Sequence, residues 1–177
     1  PIQAGMHLRM GDAIRTENDA FVTIEFADQS RLRIQDNTLL QLENMQIYGD
    51  HGLVDTLIDV QKGRTENSVP KSSEKATRFR IKTPSAISSV RGTEFRVGSN
   101  EETAITSSEV LTGNVDVGGK KRNVTVPAGF GTATRPGGAP QPPIRLLPPP
   151  DLSETDRYYQ SLPLRVKVPP LAGAHAY

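Results

Sequence analysis

The chain lacks cysteine and tryptophan, and it has few aromatic residues and no long apolar run. Of its 177 residues, 5% are aromatic and 35% are hydrophobic. Without cysteine, thiol catalysis, thiolate zinc sites and disulfide bonds are excluded. No run of about 18 apolar residues occurs, so nothing in this sequence is predicted to span a bilayer. The first eight residues show no basic segment followed by an apolar core, so no signal peptide is visible.

The chain also carries almost no net charge. The chain has 21 Lys and Arg against 20 Asp and Glu, which gives a formal charge of +1. This balance does not favour a nucleic-acid binder that works through a strong positive charge. The apolar fraction is below the globular average but well above that of a disordered chain. The length suits one ordinary domain plus a remnant.

The sequence contains no recognisable catalytic or metal-binding motif. Its three histidines, His7, His51 and His175, lie far apart and show no metal-ligand spacing. No nucleophile elbow, phosphate-binding loop or dinucleotide fingerprint occurs. Asp55 and Asp59 share one face of a predicted strand, which suits a solvated strand face better than the paired carboxylates of a hydrolase. We therefore predict a protein that is not an enzyme and that uses no cofactor or metal.

Proline divides the chain into three predicted parts. Ten of the 14 prolines lie between Pro136 and Pro170. Residues 136–151 are predicted to form an extended linker, although a ligand for a proline-binding domain is an alternative. Residues 1–135 then form a β domain, and residues 152–177 are the start of a second β domain or a tail that packs back. Within this last part, the sequence of Leu164–Val168 alternates like a single strand.

The first part shows the alternation of β-strands throughout. Phe21–Phe26 and Arg31–Gln35 alternate on either side of a turn former, Asp28-Gln29-Ser30, which predicts a hairpin. The further predicted strands are Leu39–Leu42, Leu53–Val60, Arg78–Lys82, Glu94–Val97, Thr103–Leu111, Asn114–Val117 and Asn123–Val126. The polar stretch Thr65–Ala76 is expected to be a surface loop. Many short strands with frequent turns predict an all-β fold, either an antiparallel double-sheet sandwich or a solenoid-like stack.

A weak internal repeat is visible at three glycines. Gly11, Gly63 and Gly113 each open a similar passage, at spacings of 52 and 50 residues. A period near 50 is typical of stacked supersecondary units. Shared turn chemistry explains the three passages almost as well.

Charge is unevenly distributed along the chain. Residues 1–60 contain 4 basic and 10 acidic side chains, whereas residues 61–122 contain 12 basic and 7 acidic ones. In the strand Arg78–Lys82, Phe79 and Ile81 point inward, so Arg78, Arg80 and Lys82 form a row on the opposite face. This row is a candidate site for an acidic partner or an anionic polymer. It could equally protect a sheet edge or pair with the acidic first part of the chain.

The most informative passage is Phe79–Val97. Thr83-Pro84 ends one strand, because Pro84 donates no hydrogen bond and restricts Thr83 to extended geometry. Gly92 interrupts the next strand, which indicates a bulge or a close backbone approach. Phe95 then returns to the core.

This passage closely resembles the hallmark of the ferric-citrate regulator (FecR) domain family, a segment of the form TP-x-A-x-x-x-V-R-G-T-x-F-x-V. The matching positions are Thr83, Pro84, Ala86, Val90, Arg91, Gly92, Thr93, Phe95 and Val97. Leu8–Thr16, with Gly11 and Asp12, is similar to the family's opening L-x-x-GD-x-I-x-T. Ala20–Ser30 resembles the following strand and F-x-D-G-S turn, with Gln29 where the family usually has glycine. Val110–Val117 and Val126–Gly129 are similar to the closing motifs.

The resemblance implies an all-β periplasmic module without catalytic residues, whose motif residues shape the backbone. Some family members pass a signal from an outer-membrane iron transporter to a sigma factor. Others join the domain to a peptidoglycan-binding LysM module and fibronectin-like repeats, and the Pro-rich linker makes this chain more similar to that type.

Two functions follow as expectations. The first is a non-enzymatic periplasmic module that binds a protein or cell-wall partner in envelope signalling or scaffolding. The second is a peptidoglycan- or polysaccharide-binding module, which requires a groove holding several aromatic side chains. The aromatic residues are Phe21, Phe26, Tyr48, Phe79, Phe95, Phe130, Tyr158, Tyr159 and Tyr177. Most of the Phe residues fall on predicted core faces, which disfavours the second function.

Overall fold

The computed structural model describes residues 2–48, 53–71 and 78–149. The described residues form thirteen strands and no helix. The strands are β1 (Ala13–Arg15), β2 (Val22–Glu25), β3 (Arg31–Ile34), β4 (Leu39–Tyr48), β5 (Leu53–Ser68), β6 (Arg78–Lys82), β7 (Ile87–Val90), β8 (Glu94–Ser99), β9 (Thr106–Thr112), β10 (Asn114–Gly118), β11 (Asn123–Pro127), β12 (Phe130–Thr134) and β13 (Ile144–Arg145). The prediction of an all-β fold is confirmed. No described helix is long and apolar enough to cross a membrane.

The strands form one continuous mixed sheet that curves as a half-barrel. Its centre is β5, whose 16 residues pair with β4 and β6 in their first part and with β3 and β8 in their second part. We call the strands joined to the first part half A (β1, β4, β6, β7, β10, β11). Those joined to the second part are half B (β2, β3, β8, β9, β12, β13). A double-sheet sandwich is therefore not clearly formed.

One strand pair departs from the expected antiparallel arrangement. β6 runs parallel to the first part of β5, with Asp55 opposite Arg78 and Asp59 opposite Lys82. This occurs because the chain leaves β5 in half B and re-enters the sheet in half A, beside the beginning of the same strand. All other pairs between the described strands are antiparallel.

Glycine marks two of the places where the chain passes from one half to the other. Gly63 lies in the middle of β5 with φ +93°, and Gly113 lies between β9 and β10 with φ +77°. Both values are in the left-handed region that side chains rarely adopt. Gly11 also has a positive φ, +93°. The three passages thus share a glycine backbone conformation, which accounts for their similarity through turn chemistry.

The inner faces of both halves build a single core. Phe79 from half A packs edge-on against Phe95 from half B and against Phe26, with ring centroids 6.5 Å and 5.7 Å apart. Such T-shaped contacts are favourable beyond the burial of the rings. The fully buried aliphatic residues around them are Leu32, Ile34, Leu40, Leu42, Ile58, Val60, Ile81, Val110, Val115, Val117 and Val126.

The prediction of a surface loop at Thr65–Ala76 is partly wrong. Residues 65–68 continue β5, and Thr65 and Asn67 are buried. The Asn67 side-chain amide donates to Thr65 Oγ1 at 3.2 Å and to the Phe95 carbonyl oxygen at 3.3 Å. These polar side chains face inward and bond each other, so alternation of apolar residues does not reveal the strand. Residues 72–77 of the predicted loop lie outside the described residues.

The chain divides into one compact unit, Pro1–Arg145, and a second unit, Leu146–Tyr177. The short strand β13 belongs to the first unit, although its residues lie in the predicted linker. Residues 152–177 lie outside the described residues, so the predicted second β domain or tail stays a prediction, as do the boundaries of the linker.

Candidate functional site

The outward face of half A carries the candidate site. Strand alternation buries Phe79 and Ile81 and turns Arg78, Arg80 and Lys82 outward, as predicted. β6 lies between β5 and β7 inside the sheet. The row therefore does not protect a sheet edge, and that alternative is wrong.

Two of the three cations are paired within the fold. Arg80 Nη2 donates to both carboxylate oxygens of Asp55, at 2.8 Å and 3.0 Å. Lys82 Nζ lies 2.7 Å from Glu43 Oε1 and 3.1 Å from Asp59 Oδ2. The three carboxylates come from β4 and β5, in the acidic first part of the chain. For Arg80 and Lys82, the contacts match the alternative of internal pairing.

These contacts also change the pKa of Lys82. The hydrogen bond to Glu43, followed by that to Asp59, raises the pKa of Lys82 above its usual value of 10.5, and partial burial opposes this shift. The charged form of Lys82 is therefore favoured in the folded protein. Asp55 and Asp59 lie on one face but each serves a different cation, so they do not form a hydrolase-type pair. In the described part of the chain, no group of three or more His, Asp or Glu residues could hold a metal ion.

The third cation, Arg78, lies in a different environment. The ladder of β6 and β7 ends at the pair Phe79↔Val90, so Arg78 lies at the start of β6 just before this pair and Arg91 follows the end of β7. Both side chains are exposed. They line a groove of about 710 Å³ with Lys71, Ser89, Asn114 and Asp116. We call this surface the basic groove.

Gly92 shapes one wall of the basic groove. Its φ is +70°, and a Cβ at this position would lie 2.4 Å from Lys71 Cγ and 2.7 Å from Lys71 Cα. The residues just before Lys71 are held in place by two backbone hydrogen bonds between Val69 and Thr93, of 3.1 Å and 3.0 Å. Thr93 Oγ1 also donates to the Asn114 carbonyl oxygen at 2.9 Å. Glycine thus permits the close approach that brings Lys71 beside Arg91.

The other motif residues form turns and core contacts. Thr83 Oγ1 accepts from the Ala86 amide at 3.0 Å, and this bond closes the turn containing Pro84. Thr83 Oγ1 also contacts Thr106 Oγ1 of β9 at 2.6 Å. Phe95 is buried in the core.

The opening motif fixes the start of the chain to β4. Gly11 donates its amide to the Leu42 carbonyl oxygen, and the Leu42 amide donates to the Asp12 carbonyl oxygen. Asp12 Oδ2 accepts from the Arg9 amide at 2.7 Å. These contacts are local and structural.

The aromatic residues do not assemble into a stacking row on the described surface. Phe26, Phe79 and Phe95 pack against one another, and Phe130 is half-buried against the core. Phe21 is 63% exposed, and the Arg33 guanidinium lies 4.7 Å from its ring centroid. The side chains of Tyr48, Tyr158, Tyr159 and Tyr177 lie outside the described residues, as do His51 and His175.

Sequence reasoning did not identify Lys71 and Arg91 as part of a cationic surface. Arg91 belongs to the hallmark motif, which predicts a structural role for it. Recognising it as a neighbour of Arg78 required the register of β6 and β7. Lys71 could not be placed without the contact at Gly92.

The fold and the motif residues define a known class of protein. The family model FecR protein matches residues 12–116, and the chain belongs to this family.

The chain also resembles two solved structures, both with the printed name "putative anti-sigma factor" and both from Parabacteroides distasonis ATCC 8503. One has a TM-score of 0.63 at 16% identity, and the other has a TM-score of 0.61 at 15% identity. Each match covers 76% of this chain and 59% of the solved chain. At this identity the likeness concerns the fold. No curated protein matches the chain.

Proposed function

We propose that this chain is a periplasmic, non-enzymatic module that binds a protein partner in cell-envelope signalling. The observation that carries the proposal is the FecR family match over residues 12–116. The likeness in fold to proteins named as anti-sigma factors supports a signalling role. That likeness covers 59% of the solved chains, so their partners are not transferred to this one.

The described surface suits protein binding better than sugar binding. Exposed cations lie on a rigid sheet, whereas three of the five Phe residues are packed together in the core. Sugar-binding grooves present aromatic faces to the ligand, whereas among the described side chains the groove beside the N-terminal segment has two aromatic residues, Phe21 and Phe26. A protein partner is therefore the better supported ligand.

Site-specific photo-crosslinking in living cells tests this function. A photoreactive residue is placed in the native gene product at Asn114 in half A, at Thr125 beside it, or at Thr23 in half B. All three positions are exposed. We expect a discrete protein adduct from at least one position, found in the periplasmic fraction and formed with an envelope protein. A transcriptional response to replacement of residues 12–134 by an unrelated β domain would support signalling.

Two outcomes would contradict the proposal. One is recovery of the gene product in the cytoplasmic fraction. The other is sedimentation of the purified chain with isolated cell wall, combined with no protein adduct from any of the three positions. The second outcome would replace protein binding by the wall-binding function.

A further inference from the structure

The basic groove contains two cations that no described residue neutralises. Among the described residues, neither Arg78 nor Arg91 has an ion pair or a side-chain hydrogen-bond partner. Both cations adjoin the last pair of the β6–β7 ladder, Phe79↔Val90, and both line the same groove. Neighbouring like charges repel each other, so these two arginines do not serve the stability of the sheet. We propose that Arg78 and Arg91 bind carboxylates of an acidic segment of the partner protein.

The same face of the sheet provides an internal comparison. Arg80 and Lys82 lie on the same strand and the same face as Arg78, and each has carboxylate partners within 3.1 Å. The fold therefore supplies carboxylates where a cation has a structural role. At the other end of β6, Asp55 is the register partner of Arg78, but both of its carboxylate oxygens bond Arg80, and no described carboxylate forms an ion pair with Arg78.

The acidic residue of the groove, Asp116, does not neutralise Arg78 or Arg91. Asp116 Oδ1 accepts from Thr125 Oγ1 at 2.6 Å, and this contact holds the carboxylate towards β11. Among the described residues, the groove is lined by the cations Lys71, Arg78, Arg80 and Arg91 and by this one carboxylate. Because Arg80 is bound to Asp55, the groove retains an excess of positive charge near Arg78 and Arg91.

The chemistry of the lining favours an acidic peptide over a nucleic acid. A guanidinium group matches a carboxylate through two parallel hydrogen bonds. Ser89 and Asn114 provide polar groups for the backbone of an extended segment. Phe79 is the aromatic residue that lines the groove, and it is 1% exposed, so it offers no face to a base.

This inference rests on the proposed protein-binding function and is tested separately from it. The probe is a fluorescently labelled peptide of alternating glutamate and serine, and binding to the purified chain is measured by fluorescence anisotropy. The variant Arg78→Gln/Arg91→Gln is compared with Lys120→Gln/Lys121→Gln, which removes the same charge from the exposed β10–β11 turn. We expect about tenfold weaker binding for the first variant and less than about twofold for the second.

Two further measurements keep the result interpretable. Since the arginines repel each other, Arg78→Gln/Arg91→Gln should unfold at the same or a higher denaturant concentration than the native chain. The variant Arg78→Lys/Arg91→Lys keeps the charge but loses the planar donor pair, so its affinity should be intermediate.

Equal weakening by both glutamine variants would reduce the effect to general charge and overturn the inference. Binding of anionic lipid vesicles or polyphosphate, but not of the acidic peptide, would overturn it as well. A crosslinked protein that Arg78→Gln/Arg91→Gln captures unchanged would refute the groove as its site while leaving the protein-binding function intact.

Discussion

Replacement of Gly63 by alanine should strongly destabilise the protein. Gly63 has a φ of +93°, and a Cβ built there would lie 2.2 Å from Thr38 Oγ1 and 2.5 Å from Thr38 Cα. Because the second of these atoms belongs to the backbone, rotation of the Thr38 side chain cannot relieve the clash. β4 and β5 must therefore separate at the point where β5 enters half B.

The expected loss is the sum of three effects. A residue with a Cβ in the left-handed region costs about 1–2 kcal/mol. Overpacking at a tight contact adds roughly 1–3 kcal/mol. Thr38 Oγ1 accepts from the Arg64 amide at 3.0 Å, and disturbing this hydrogen bond adds about 1 kcal/mol. We expect Gly63→Ala to lower the free energy of unfolding by about 3–6 kcal/mol in total.

Gly129 provides a matched control. Its φ is +79°, but no atom lies within 4 Å of a Cβ built at this position. Gly129→Ala should therefore cost only the backbone term, about 1–2 kcal/mol. The free energies are measured by urea denaturation followed by circular dichroism.

The double variant Gly63→Ala/Thr38→Ala sharpens the test. It removes Oγ1 but leaves the Cα of residue 38 in place, so it should not recover the stability of the native chain. Equal losses for Gly63→Ala and Gly129→Ala would refute the packing argument, and recovery in the double variant would show that only the side chain matters.

Two other predictions concern a turn and the partly exposed ion pairs of Lys82. Gln29 has a φ of +65°, so Gln29→Gly should raise the free energy of unfolding by about 0.5–1 kcal/mol. The control Gln61→Gly, within β5, should lower it. A loss of stability in Gln29→Gly would show that the turn is not strained. The pKa of Lys82 is raised in the folded state, so its contribution is fully present below the unfolded value of 10.5 and is lost as the pH rises through the folded value. The difference in unfolding free energy between the native chain and Lys82→Met should thus be constant near about pH 8 and shrink above 10.5; a difference that grows with pH would contradict the ion-pair assignment.

The sequence was sufficient to predict the local elements that follow strict alternation. The hairpin at Phe21–Gln35 forms with Val22 opposite Ile34, and Arg78–Lys82 is a strand over its whole predicted length. In both cases apolar and polar residues alternate without interruption. The turn between β2 and β3 also forms, with the Gln29 amide donating to the Phe26 carbonyl oxygen.

Elements without this pattern were missed or shortened. β1 has three residues and β13 has two, too few to show a period. β12 contains Gly131 and small residues, and it is held by pairing to β9. The second part of β5 carries inward threonine and asparagine, so its strand character depends on partners that only the tertiary structure provides.

The candidate site was predicted in part for the same reason. Alternation identified the row at Arg78, Arg80 and Lys82, but no sequence pattern shows which cations receive a carboxylate. That distinction depends on the parallel register of β5 and β6, since it brings Asp55 and Asp59 beside this row. The role of the row in partner binding stays a prediction.

A single long strand at the centre of the half-barrel limits how this module can move. Four neighbouring strands, two in each half, are hydrogen-bonded to β5. A hinge at the point where the partners of β5 change, between Lys62 and Gly63, would open the core in which Phe79 of half A packs on Phe95 of half B. Because the two halves share β5 and one core, we expect a force on the outer face of one half to be transmitted to the other without opening a cleft between them.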